Sequence, residues 1–95
     1  MTAQTETWQL VAHGRVQGVG YRGNCADRAR ALGLGGWVRN RMDGTVEVIA
    51  TGSRENLEAL RLWMEKGPPA AQVSRVETKP APPEAFDSFE WRPTV

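Results

Sequence analysis

Three glycines and two arginines fall within nine residues, Gly14-Arg15-Val16-Gln17-Gly18-Val19-Gly20-Tyr21-Arg22. Glycine has no Cβ to hold a ligand away from the main chain, so backbone N–H groups in such a loop can converge on one bound group. Ahead of a helix, the loop also gains the positive end of the helix dipole, and Arg22 adds a charged, forked donor. The chemistry these residue types support is capture of a phosphate-sized oxyanion. A short Gly-x-Gly pattern alone also fits a plain tight connection between strand and helix. An arginine at a helix start, however, opposes the dipole unless an anion lies beside it. That conflict favours the anion cradle.

Asn40 lies in a second segment, Gly36-Trp37-Val38-Arg39-Asn40-Arg41-Met42-Asp43-Gly44-Thr45-Val46-Glu47. A strand asparagine bonds to its neighbours, or it orients a water, accepting a proton with its carbonyl while its amide nitrogen donates to a substrate oxygen. Spacing leaves both readings open. His13 has no partner for nucleophilic catalysis and reads as a half-buried structural histidine. Cys25 falls on an apolar helical stripe and reads as a small core residue, with its first-turn position the one feature that favours a reactive thiol. Arg39 and Arg41 flank Asn40 as strand-edge charges that add positive potential nearby. The four tryptophans read as core and sheet packing.

These groups need a frame, and the composition bounds it. Ninety-five residues suffice for one modest core and not for two. A net charge of +1 is too balanced for a nucleic-acid binder, so anion binding is expected to be local. One cysteine excludes an intrachain disulfide, and with one histidine the usual zinc spacings are missing, so neither metal nor cofactor is expected. The segment Met1 to Thr7 is polar and without an apolar signal core, and no apolar run approaches the ~20 residues a bilayer requires. The expectation is a flexible segment over 1–7, a single domain over 8–95, and a cytoplasmic monomer that binds neither membrane nor nucleic acid.

The elements follow from periodicity. Trp8, Leu10 and Ala12 alternate with Gln9, Val11 and His13, which predicts a strand up to the glycine loop. Cys25, Ala26, Ala29 and Leu32 recur at helical spacing, with Gly33 as the stop, while Gly23 is an unexpected loosening of the first turn. Trp37–Arg41 and Thr45–Thr51 read as a hairpin about Asp43-Gly44, with Val46, Val48 and Ala50 on one face. Ser53 caps a helix with Leu57, Leu60 and Met64 on its stripe, stopped at Lys66-Gly67-Pro68-Pro69. Gln72–Thr78 reads as a strand with an irregularity, because Val73 and Val76 break alternation. After a stiff Pro80–Pro83 loop, Phe89 and Trp91 mark a short closing strand. The order predicts an α+β, ferredoxin-like βαββαβ sandwich, with two helices on one face of a mainly antiparallel sheet and an extra C-terminal strand.

Together, the loop through Arg22 and the segment through Asn40 closely resemble the two signatures of the acylphosphatase family, over a stretch from about Trp8 to Arg92. The resemblance implies hydrolysis of the carboxyl–phosphate bond of acyl phosphates, by metal-independent in-line attack of water, to a carboxylate and inorganic phosphate. It implies that Arg22 binds phosphate, that Asn40 positions the water, and that the cradle is built from the backbone amides of Gln17, Gly18, Val19, Gly20, Tyr21 and Arg22. Gly20-Tyr21 stands where many members carry two phenylalanines. The expected partners are a small acyl phosphate and inorganic phosphate or another small oxyanion in the loop. The alternative is a non-catalytic phosphate- or metabolite-binding module on the same fold. An RNA-binding sheet would need exposed aromatics on its central strands, where this chain carries Val, Ala and Glu.

Overall fold

Alternation in the first strand becomes the middle of a sheet. In the computed structural model, which describes residues 5–95, β1 (Glu6–Arg15) turns Trp8, Leu10 and Ala12 into the core. Of the expected flexible segment, residues 1–4 lie outside the described residues, while Glu6 and Thr7 already belong to β1. The remaining elements are α1 (Tyr21–Ala31), β2 (Gly35–Asn40), β3 (Val46–Gly52), α2 (Arg54–Lys66), β4 (Gln72–Pro80) and β5 (Phe89–Arg92). The five strands lie in the order β4-β1-β3-β2-β5. All neighbours are antiparallel except β5, which runs parallel to β2. This is a ferredoxin-like fold of two helices on a five-stranded mixed sheet.

The core forms where apolar stripes of two periods meet. Val38, Val46, Val48 and Ala50 from the sheet face Tyr21, Cys25, Ala26 and Ala29 of α1 and Leu57, Leu60 and Met64 of α2. Fully burying one such leucine contributes roughly 1.5–3 kcal/mol. Tyr21 adds a directed tie between the helices, its hydroxyl donating to the Met64 carbonyl at 2.6 Å.

The punctuation falls near the expected places. At the end of α1 the Gly33 N–H bonds to the Arg30 carbonyl and the Leu34 N–H to the Ala29 carbonyl, a Schellman closure. The Ser53 hydroxyl accepts from the Asn56 N–H at 3.2 Å and starts α2. Between β2 and β3, the Arg41 N–H pairs with the Thr45 carbonyl, so Met42-Asp43-Gly44 form a three-residue loop. The Asp43 carboxylate accepts from both the Thr45 hydroxyl and its N–H, which holds its pKa below the ordinary range. The irregularity expected in β4 is a register shift: His13 faces Arg75, yet Gly14 faces Val73, leaving Ser74 as the extra residue. A Cβ on Gly14 would stand 2.3 Å from the Gln72 carbonyl oxygen, so this bulge requires glycine.

Candidate active site

The loop from Val16 to Gly20 joins β1 to α1, and each end is fixed by a different force. Val16 is buried in the core. The Gln17 side chain donates from Nε2 to the carbonyls of Arg41 and Thr45, both at 2.8 Å, and thereby docks the loop on the base of the β2–β3 hairpin. At the other end Gly20 caps α1 with φ 80° and ψ 13°, a left-handed conformation that a side chain would strain. No side chain caps this helix and no acidic residue lies in its first turn. Among the described residues, no backbone N–H from Gln17 to Gly23 has a partner in the protein. The fold therefore leaves a row of donors at the positive end of a helix.

Arg22 projects from the second position of α1. Its Nη1 donates to the Arg92 carbonyl at 2.9 Å, and its guanidinium lies 4.6 Å from the centroid of the Trp91 ring. Asn40 ends β2, half-buried, and its Oδ1 is enclosed without a hydrogen-bond partner. An unpaired buried carbonyl costs free energy, so this amide retains bonding capacity that the fold does not use. The main chain about Asn40 is tied to Val95: the Val95 N–H donates to the Asn40 carbonyl at 3.2 Å, and the Met42 N–H to the Val95 carbonyl at 2.7 Å.

Arg22 and Asn40 line one cleft of about 210 Å³ together with Val16, Gln17, Gly18, Gly20, Tyr21 and Gly23. Its size suits a small oxyanion more than a large organic ligand. Of the residues singled out from sequence, Val19 is outside this lining and packs against the core. Tyr21 contributes its main chain, because its ring is core and burial pushes its phenol above the usual range.

The other candidates fall elsewhere. Cys25 is fully buried and its thiol is pushed up to about 12 by burial, so a reactive thiolate is ruled out there. His13 points to the sheet face away from the helices, with Nε2 3.2 Å from a Glu77 carboxylate oxygen, and lines a different groove. Arg39 and Arg41 gather at 2.9 and 4.0 Å from the carboxylate of Glu47, which also accepts from Gln9 at 2.7 Å. The single Glu47 carboxylate thus offsets one of these two positive charges.

One tryptophan corrects the expectation of core and sheet packing. Trp91 is 54% exposed and lies against Arg22, while Trp37 packs on the sheet with the guanidinium groups of Arg39 and Arg92 at 4.5 and 5.0 Å from its ring centroid. Neither Trp91 nor the Arg92 carbonyl stood out in the sequence as part of a site. Arg22 and Arg92 lie 70 positions apart, and no local pattern announces that β5 lies beside β2.

The family model and the curated relatives agree on one family. The family model described as Acylphosphatase matches residues 8–91. The chain is 73% identical over 95 residues to Acylphosphatase of Cupriavidus metallidurans, covering 100% of both chains. It is 68% identical over 90 residues to Acylphosphatase of Cupriavidus necator, covering 95% of this chain and 97% of that one. Among solved structures, that of an acylphosphatase from Coxiella burnetii superposes with a TM-score of 0.90 at 35% identity, covering 93% of each chain.

Proposed function

The chain belongs to the acylphosphatase family, and on that premise we propose how its cleft hydrolyses acyl phosphates. The enzyme cleaves the carboxyl–phosphate bond, water supplying the oxygen that ends in inorganic phosphate and the carboxylate leaving. A carboxylate is a good leaving group, so no strong general acid is needed. What remains is to neutralise the phosphoryl oxygens and to hold water in line with the departing oxygen. The observation that carries the assignment is the unpartnered row of backbone N–H groups from Gln17 to Gly23 meeting Arg22 and Asn40 in one cleft.

In this reading the amides of Gln17, Gly18, Val19, Gly20, Tyr21 and Arg22 bind the equatorial oxygens. Arg22 adds the charge and the second prong of its fork. A turn about the terminal torsion of Asn40 aims its amide into the cleft, where the oxygen accepts from the attacking water and the nitrogen donates to a phosphoryl oxygen. As the new P–O bond forms, the proton of the water passes to the phosphoryl group itself. The complete set comes from one chain, which supports a monomer that works without a metal or a cofactor. A cytoplasmic location belongs to the same proposal, supported by the single free cysteine. No described helix is long and apolar enough to cross a membrane.

The deciding experiment is phosphate release from acetyl, carbamoyl and an aryl acyl phosphate, by the native protein and by Arg22→Ala, with and without chelator. Turnover that survives chelation and is nearly abolished in Arg22→Ala is the expected result. Activity lost with chelator would sink the metal-free route, and near-native turnover of Arg22→Ala at saturating substrate would remove Arg22 from the site. Size-exclusion chromatography with light scattering checks the monomer.

A further inference from the structure

We propose that Trp91 is a positioning residue for Arg22, acting with the Arg92 carbonyl to hold the guanidinium ready for a phosphoryl group. The inference rests on the phosphate-binding role proposed above for Arg22. Its starting point is that Arg22 has two contacts from adjacent residues of one strand, a ring face at 4.6 Å and a main-chain carbonyl at 2.9 Å. The first is within cation–π range, and the second occupies one of the five N–H donors of a guanidinium. The remaining donors are left for phosphoryl oxygens.

The strand that supplies both contacts is itself well fixed. β5 pairs with β2 so that Val38 faces Trp91 and Arg39 faces Arg92, and β2 ends at Asn40. Phe89 is buried in the core, and its carbonyl accepts from Arg30 Nε on α1 at 2.9 Å. One short strand thus sets the posture of Arg22 relative to the strand that carries Asn40. Packing does not explain the choice of residue, because the Trp91 side chain stays more than half exposed. A free arginine loses much rotamer freedom when it closes on an anion. Stacked on Trp91, Arg22 has already given up that freedom, so less is lost when phosphate binds.

The test is a graded series, Trp91→Tyr, Trp91→Phe and Trp91→Leu. It is read by calorimetric affinity for inorganic phosphate, by kcat and KM with acetyl phosphate, and by melting temperature. Phosphate affinity is expected to fall in the order Trp, Tyr, Phe, Leu, with Trp91→Leu weaker by about 2–5-fold, the worth of an exposed cation–π contact. The melting temperature is expected to stay nearly constant across the series. In an Arg22→Ala background, Trp91→Leu is expected to change phosphate affinity no further. A flat series, or a loss that persists without Arg22 or follows the melting temperature, would overturn the positioning role. Should Arg22→Ala itself bind phosphate normally, the assignment of Arg22 fails first. A flat Trp91 series beside a defective Arg22→Ala rejects the positioning role alone.

Discussion

Arg22 stands at the positive end of a helix with no acid in the first turn to balance it. Its contacts there, a carbonyl and an aromatic face, carry no net negative charge. In the function proposed above a bound phosphate supplies it, and the local electrostatic conflict follows from that ligand. Charge alone is not the whole of the role. Arg22→Lys keeps the cation but has no planar fork to stack on Trp91, bond to the Arg92 carbonyl and bind phosphate together. It is expected to weaken phosphate binding by about 10–100-fold, the factor of one charge-assisted hydrogen bond, as read by titration calorimetry. Asn40 is expected to separate from Arg22 in kinetics. Removing one preorganised polar contact costs roughly 10²–10³ in rate, so Asn40→Ala is expected to lose that much kcat, with a smaller rise in the Kd for inorganic phosphate from the lost amide bond to a phosphoryl oxygen. Loss of phosphate affinity at unchanged kcat would make Asn40 a binding residue instead.

The loop and α1 hold Arg22, while Asn40 sits on β2, and the glycines of the loop and helix are not equivalent. Gly20 has a left-handed backbone, with the Asn24 amide nitrogen 3.2 Å from where a Cβ would stand, whereas Gly23 is helical with open space around it. Gly20→Ala is therefore expected to destabilise by about 1–2 kcal/mol, the cost of a left-handed side-chain residue. Gly23→Ala is expected to stabilise by about 0.4–1 kcal/mol through helix propensity and a less flexible unfolded chain. Urea unfolding of both variants measures the opposite signs, and equal effects would contradict this difference in backbone. The elements were largely legible because their signals are local: Trp8, Leu10 and Ala12 alternate, Ser53 caps, and Gly33 closes a helix. Arg22 and Asn40 drew notice as residue types within recognisable segments. Trp91 did not, since its value depends on β5 lying parallel to β2, a pairing fixed by the tertiary fold and not by spacing. Gln17 likewise showed only a potential backbone amide, while its side chain proves to be the clasp between loop and hairpin.

At the scale of the molecule, surface hydrogen bonds and core burial give stability two titrating limits. Glu6 is held below the usual carboxylate range chiefly by its bond to Arg54, Asp43 by the Thr45 hydroxyl, and Glu58 by Arg61. A depressed folded pKa means that the unfolded chain takes up protons first on acidification. Their contribution is whole above about pH 5 and is lost as pH falls through the ordinary carboxylate range and below. The alkaline limit has the opposite origin. Burial raises Cys25 to about 12 and raises Tyr21 further, so the folded state keeps protons that the unfolded chain has released. From the ordinary thiol value near about 8.5 upward, Cys25 alone makes stability fall by up to about 1.4 kcal/mol per pH unit, and Tyr21 joins near about pH 10. Unfolding free energy followed from pH 3 to 11 is expected to show a plateau between these limits. In Cys25→Ala, lower overall because a buried group is removed, the plateau is expected to extend to about pH 10 before the fall begins. An alkaline fall that starts at the same pH in both proteins would show that the thiol is not the group that titrates there.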